Sequence, residues 1–371
     1  MTLFDSITSP TLLLNKDRCL NNIQRMVAKA DASKVRFRPH FKTHQSAVIG
    51  KWFRQFNITA ITVSSVAMAK YFADNSWNDI TIAFPVNLRE IQLINDLAQR
   101  IHLELLVESL RSIRFLAENL KVPVGLWLKA DTGAHRTGIP VDNHEIFLAL
   151  ANEASQSKQL SLKGVLTHAG QTYHAGSVEE VREIYRIATG KLNSLKESLH
   201  KSGSKEMQIS WGDTPSCSLV DDLSHVDEIR PGNFALYDFT QFQIGSCQED
   251  DIAAAVACPV VALHPERNEV IIHGGAIHLS KERLEQESGC SFGTVALPTA
   301  KGWSKHIPGA FVKSLSQEHG ILSVPKQHFS QIHIGELLVI LPVHSCLTVD
   351  LFNQYISLDG EIIPTMRMAT P

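Results

Sequence analysis

No stretch of this chain approaches the ~20 consecutive apolar residues that a membrane-spanning helix requires. Nor is there a basic tail or a run of like charge, and the formal net charge is only -3. Nucleic acid and anionic membranes are therefore not expected as principal partners. The first residues, Met1 to Ser6, lack a basic segment followed by an apolar one, so no signal peptide is read and a cytoplasmic protein is expected. The six cysteines, at 19, 217, 247, 258, 290 and 346, form no CxxC pair. Without a secretion signal they are expected to be free thiols rather than a disulfide framework. Internal repeats and low-complexity segments are absent as well. What is present is an ordinary globular composition, 44% hydrophobic and 20% charged over 371 residues, enough for one large domain and a smaller second one.

Between about residues 35 and 235, short apolar β-rich runs alternate with amphipathic stretches. The expected strands are Val35–Arg38, Ala60–Ser64, Asp79–Phe84, His102–Val107, Val124–Lys129, Gly164–Thr167, Met207–Trp211 and Val226–Arg230. The clearest helices are Asn87–Leu97, Leu110–Leu120, His144–Ala154 and Val178–His200. Such alternation implies parallel strands with right-handed crossovers. Eight strands suggest a (β/α)8 TIM-type barrel, with an open doubly wound sheet as the alternative. After about residue 245 the helices stop. Ala253–His264, Glu269–Gly274, Phe292–Leu297, Ile321–Val324, Leu337–Pro342 and Thr348–Phe352 read as strands of a C-terminal antiparallel β domain, with turns at Pro265–Asn268 and Asp359-Gly360. The expected division is a barrel over residues 15–245 and a β domain over 246–371, which residues 1–14 could join.

A barrel of this type carries its chemistry at the C-terminal ends of the strands. Lys42 follows the first strand, in Arg38-Pro39-His40-Phe41-Lys42-Thr43-His44. A lysine amine attacks a carbonyl only when neutral, so burial or neighbouring positive charge must favour that form. Arg38, His40 and His44 are candidates to supply the charge. Taken alone, Lys42 reads more readily as a surface lysine in a polar loop. Asp131 through Arg136 follow the fifth strand, and an arginine there could donate to an anionic ligand oxygen. A salt-bridged loop is the bland alternative. His168 and Tyr173 follow the sixth strand. The loop Gly212-Asp213-Thr214-Pro215-Ser216 after the seventh is a candidate phosphate cradle: Gly212 would admit close approach, and Thr214 or Ser216 could cap the next helix. Asp213 is expected to point outward or to pair with a cation, and plain turn chemistry competes with the cradle. Gly232 and Asn233 offer a second backbone approach. In the β domain, His344 and Cys346 are two apart. In an extended strand they share a side and could converge on one ion, for which an imidazole and a thiolate suit Zn²⁺. On its own this pair reads more readily as a buried cysteine beside a capped histidine.

Taken in order, these motifs resemble the D-serine dehydratase and D-threonine aldolase family of alanine-racemase-like, fold-type III pyridoxal-phosphate enzymes. The resemblance runs along nearly the whole chain. It implies that Lys42 binds the cofactor covalently and that Tyr173 contacts it, with His168 alongside. It further implies that Thr214, Gly232 and Asn233 hold the phosphate, that Arg136 lies near the ring oxygen, and that His344 and Cys346 bind a divalent metal, zinc foremost, with manganese or magnesium as alternatives. A homodimer is implied as well. Gln171 stands where the family often has histidine, Asp213 where it has a smaller residue, and His273-Gly274-Gly275 where it has an aspartate–glycine turn. These departures bear on the substrate. The expected activity is that of a metal-assisted lyase acting on a D-β-hydroxy amino acid, either dehydrating it to an oxo acid and ammonia or cleaving it to glycine and an aldehyde. Two other readings stand beside it: an amino-acid racemase, which needs a second base, and a non-catalytic pyridoxal-phosphate-binding protein, against which the β domain argues.

Overall fold

A computed structural model describes residues 3–204, 207–286 and 289–369. The chain divides into two compact units, one of Gln24–Lys42 and Lys51–Gly232, the other of Met1–Ile23, Thr43–Gly50 and Asn233–Pro371.

The first unit is an eight-stranded parallel barrel. Its strands are β1 (Arg36–Phe37), β2 (Ile61–Val63), β3 (Asp79–Pro85), β4 (His102–Val107), β5 (Val124–Asp131), β6 (Leu160–His168), β7 (Gln208–Gly212) and β8 (Glu228–Ile229). Each pairs in parallel with the next from β2 to β8, and β8 pairs with β1. A bridge between His40 and Thr62 closes the ring. All eight expected strands form, and the open-sheet alternative does not. The four clearest helices form too, as Ile91–Ala98 (preceded by a 3-10 turn), Leu110–Asn119, His144–Ser155 and Val178–Lys201. Ser109, Asn143 and Ser177 cap three of them by accepting a backbone N–H from the first turn, as such residues do before an amphipathic run.

Side chains fill the barrel, as the architecture requires. Leu106, Trp127 and Leu166 form an apolar layer with Ala83 against it. A polar layer also crosses the interior. The guanidinium of Arg38, wholly buried, donates to Glu228 at 2.8 Å and to Asp79 at 2.6 Å, and lies 3.6 Å from Glu104. Glu104 accepts from Thr81 Oγ1 and the Trp127 indole, and Glu228 accepts from Ser210 Oγ. These bonds satisfy charges that would otherwise be costly to bury.

The second unit carries a β-barrel of six strands: Ala254–His264, Glu269–His273, His319–Ser323, Gly302–Leu315, Thr294–Thr299 and Leu337–Leu341, closed antiparallel in that spatial order. Thr11–Leu14 extends this sheet, antiparallel to Ala254–His264 and parallel to Gln354–Ser357. Two readings need correction. Thr348–Phe352 is not a strand: Ser345–Val349 is helical, and a turn follows. Its Thr, Val and Phe content suggests a strand, but a distant carboxylate, Asp238, accepts the Ser345 N–H and starts the helix. Conversely, the 14-residue strand Gly302–Leu315 goes unread in the sequence, because Pro308-Gly309 resembles a turn. The ladder accommodates the pair through irregular register against Thr294–Thr299.

Replacing Arg38 with Ala leaves Glu228 and Glu104 without the buried cation between them, with only the exposed Arg36 remaining 3.6 Å from Glu228. The expected cost is about 3–5 kcal/mol of stability, measurable as a fall in denaturant midpoint. A midpoint within error of wild type would show that the polar layer is dispensable.

Candidate active site

Lys42 lies in the turn 41–44 after β1, with a half-buried side chain. Its neighbour Phe41 holds the turn in place. Phe41 is wholly buried, and its ring sits 4.9–5.0 Å from those of Phe53, Phe72 and Trp77. The Lys42 N–H donates to His40 Nδ1 at 3.3 Å.

Two of the cations expected to act on Lys42 are spoken for. Arg38 is bound to the carboxylates of the polar layer. His44 belongs to the second unit, and burial drives its pKa down to about 3, so it is neutral. The positive charge of the barrel acts instead on His168. His168, at the end of β6, is held far below its ordinary pKa, first by burial and then by Lys42, Arg136, Lys129 and Arg230. Lys129, the buried last-but-two residue of β5, donates to the Ala130 carbonyl at 2.8 Å. Burial, followed by the charges of Arg230 and Arg136, brings its pKa down to about 7. Arg230, just past β8, donates through Nε to Ser210 Oγ and through its terminal nitrogen to the Thr167 carbonyl. Arg230 was read only as the end of the eighth strand, in Arg230-Pro231-Gly232-Asn233, and Lys129 was not singled out from the sequence. The available signal was a charged residue at the end of an otherwise apolar strand.

The predicted residues of the fifth and sixth loops come together. The His168 and Tyr173 rings are 6.0 Å apart. Gln171 Nε2 donates to the Thr132 carbonyl and so ties the two loops. Asp131 accepts from the Gly133 and His135 N–H groups and from the His135 ring, which leaves Arg136 exposed, with no carboxylate partner among the described residues.

The loop after β7 differs from expectation in two ways. Asp213 does not point outward. It is 2% exposed and caps the helix Thr214–Leu219, accepting from Ser216 N at 2.6 Å and Thr172 Oγ1 at 3.1 Å. Thr214 and Ser216 are therefore not the cap. Gly212 makes room for a side chain rather than for a ligand, since a Cβ there would lie 3.1 Å from the Arg230 guanidinium. Thr214 is buried as the first residue of that helix, and Gly232 is half-buried at the end of the barrel unit.

In the second unit, His344 and Cys346 converge, though not by strand alternation. His344 is extended and Cys346 lies in the first turn of the helix it introduces. Asp238, wholly buried, accepts from His344 Nδ1 at 3.1 Å and from Ser345 N at 3.0 Å. Cys346 Sγ is 3.2 Å from Thr43 Oγ1. Burial opposes charge on His344, but Cys346 and Asp238 outweigh it and hold its pKa well above the ordinary value. Asn233 also faces this cluster: its Nδ2 donates to Asp238 and to Ser345 Oγ. Both Nδ2 hydrogens of Asn233 are thus taken up within this cluster. Asp238 went unnoticed in the sequence, where nothing distinguishes it from a helix cap. Tyr355 is wholly buried and donates to the His44 carbonyl, with its pKa pushed up by burial, so it is no second base. All six cysteines are free.

The donor sets fit the groups they were expected to hold. Two buried cations, Lys129 and Arg230, and the exposed Arg136 act with the Lys42 amine on the His168 ring, a set that suits an anionic aromatic aldehyde such as pyridoxal phosphate. An imidazole and a thiol, with a carboxylate behind the imidazole, suit a divalent ion of the zinc class.

Comparison with known proteins agrees. Residues 14–238, more than half of the chain, match the alanine racemase N-terminal domain, and residues 253–358 match the family described as "Putative serine dehydratase domain". The chain belongs to the alanine-racemase-like D-serine dehydratase family. Within that family it is 27% identical to D-threo-3-hydroxyaspartate dehydratase of a Delftia species, over 96% of both chains. The solved structure of that enzyme superposes with a TM-score of 0.90 over 98% of both. Solved structures named D-threo-3-hydroxyaspartate dehydratase also include a histidine-to-alanine variant and a cysteine-to-alanine variant, the latter metal-free, at positions two apart. D-serine dehydratase of Dictyostelium discoideum is 26% identical, covering 98% of this chain and 97% of its own. The fold is shared as well by D-threonine aldolase from Filomicrobium marinum, with a TM-score of 0.85 at 21% identity over 100% of this chain and 98% of that one. Dehydratases and aldolases are both lyases, and this member of the family is a lyase.

Asp213 provides a test of the geometry of the loop after β7. Burial raises its pKa from 3.8 to about 6, against the hydrogen bonds of Ser216 and Thr172. A carboxyl whose folded pKa lies above its unfolded one holds its proton more tightly when folded. Its contribution to stability is full below about pH 4 and is lost as pH rises through about 6. Asp213→Asn keeps a cap acceptor and should flatten that step in urea midpoints. An unchanged step in the variant would place the titrating group elsewhere.

Proposed function

We propose that the protein is a pyridoxal-phosphate and divalent-metal-dependent lyase that dehydrates a D-β-hydroxy amino acid to an oxo acid and ammonia. The observation that carries this reading is the His344–Cys346 pair oriented by the buried Asp238, in the same chain as a cation-lined barrel with Lys42 at its mouth. The pair has the spacing of the histidine and cysteine replaced in the solved D-threo-3-hydroxyaspartate dehydratase variants, the cysteine one being metal-free.

When bound, pyridoxal phosphate supplies an electron sink for charge at the substrate α-carbon. Lys42 Nζ would hold the cofactor and, once displaced by substrate, carry the α-proton. Arg136, Lys129 and Arg230 supply the positive field for its anionic groups, and Tyr173 and His168 flank it. Thr214 and the backbone of Gly232 and Asn233 are the proposed phosphate contacts. A zinc-class ion supplies Lewis acidity toward a β-hydroxyl. Asp238 would accept the hydrogen bond of His344 Nδ1–H, which leaves the other ring nitrogen its lone pair for the metal. The thiol donor favours Zn²⁺ over Mn²⁺ or Mg²⁺. Racemisation is disfavoured, because Tyr355 is sealed in the core. Retro-aldol cleavage uses the same groups and is the competing outcome. A cytoplasmic homodimer completes the proposal. No helix among the described residues is long and apolar enough to cross a membrane.

The test offers D-serine, D-threonine and D-3-hydroxyaspartate to the protein loaded with pyridoxal phosphate and Zn²⁺. Ammonia with an oxo acid is expected, and chelation should abolish its release. Glycine with aldehyde would replace the dehydratase reading with the aldolase one, and turnover that survives chelation would remove the metal from the account. Cys346→Ala should lose the ion and turnover but keep the visible cofactor band. Asp238→Ala should weaken zinc binding by roughly 10–100-fold, the usual effect of losing a carboxylate behind a metal-bound histidine.

A further inference from the structure

The motif His273-Gly274-Gly275-Ala276-Ile277-His278 plays no part in the proposed reaction, yet the fold gives it a defined shape. His273 ends the strand Glu269–His273, and His278 lies in the short helix Ala276–Leu279. Glu318 sits in the turn between Gly302–Leu315 and His319–Ser323. One ligand-type atom from each of His273, His278 and Glu318 falls within 4.8 Å of the other two. The two imidazoles meet edge to face, with centroids 5.6 Å apart, and His273 Nε2 is 3.5 Å from Glu318 Oε2.

The backbone holds this arrangement. Gly274 N donates to the Glu318 carbonyl at 2.9 Å and Ala276 N to the Ser316 carbonyl at 2.8 Å. The approach is so close that a Cβ on Gly275 would lie 2.1 Å from the Gln317 carbonyl oxygen. Only glycine fits there, and the glycine pair is what brings His278 to Glu318. Donors preset by a rigid backbone lose little entropy when they close on an ion.

The polar groups are also left wanting. His278 Nδ1 is buried and has no hydrogen-bond partner, and Glu318 has no lysine or arginine partner among the described residues. Another cluster of comparable spacing, Asp79, His102 and Glu104, differs in this respect, because Arg36 and Arg38 already neutralise it. Two imidazoles and one carboxylate form a donor set that suits zinc, with a fourth position open to water or an anionic ligand.

We infer that His273, His278 and Glu318 form a second divalent-metal site of the zinc class, distinct from the His344–Cys346 pair. It stands independently of the proposed reaction, and its test is separable from it.

The experiment uses the full-length holoprotein with His344→Ala and Cys346→Ala combined, so that the proposed catalytic ion is removed. Zinc titration calorimetry and metal analysis should still find one Zn²⁺ per chain. Adding His278→Ala should abolish it. Adding Glu318→Gln should weaken it by more than the roughly 10–100-fold typical of an outer-shell partner. The cofactor band and circular dichroism serve as controls for folding. Absence of zinc from the double variant, or retention of zinc after His278→Ala, overturns the inference. Wild-type protein titrated with Co²⁺ provides a check free of mutations. Two phases are expected, one with a thiolate charge-transfer band and one without, and a single thiolate phase would contradict the second site.

Discussion

Positive charge gathered around His168, at the end of β6, is the constraint from which the rest of the site follows. Lys42, Lys129, Arg136 and Arg230 all act on His168, and like charges in a low-dielectric interior repel strongly. Burial weighs on two of them directly: the pKa of Lys129 falls to about 7, with Arg230 and Arg136 adding to the burial, and that of Arg230 falls to about 10. The same residues are structural. Arg230 bonds to Ser210 and to the Thr167 carbonyl, Ser210 bonds to Glu228, and Glu228 holds Arg38. One polar chain thus runs from the packed interior to the site, and the strand ends that carry the chemistry are held in place by it.

Asp238 plays the corresponding part in the second unit. It caps the helix Phe239–Ile244 through Gln241 N, and it also accepts from His344, Ser345 and Asn233. A single buried carboxylate therefore sets the imidazole orientation, starts the helix bearing Cys346 and fixes the Asn233 amide. This explains how a His-x-Cys pair converges although its second residue is helical.

Much of this was legible in the sequence. The eight barrel strands could be read because parallel strands are buried on both faces and stand out as apolar runs between amphipathic helices. Lys42, His168, Tyr173, His344 and Cys346 stood at strand ends or in polar clusters and could be found. What could not be read depends on partners distant in sequence. The helix Ser345–Val349 needs Asp238, about a hundred residues away. The long strand Gly302–Leu315 hides a Pro-Gly pair inside an irregular ladder. Arg38 looked like an activator of Lys42 because it is four residues away, but its charge belongs to Asp79 and Glu228. Asp213 looked misplaced beside a phosphate because its capping role appears only once the loop is folded.

Two lysines, Lys42 and Lys129, act on His168 at the end of β6, so the central claim reduces to which of them carries the cofactor. Borohydride reduction of the pyridoxal-phosphate-loaded protein, followed by peptide mass mapping, answers this directly. The account predicts the pyridoxyl adduct on the peptide containing Lys42 and an unmodified Lys129. An adduct on Lys129, or none on Lys42, would contradict it.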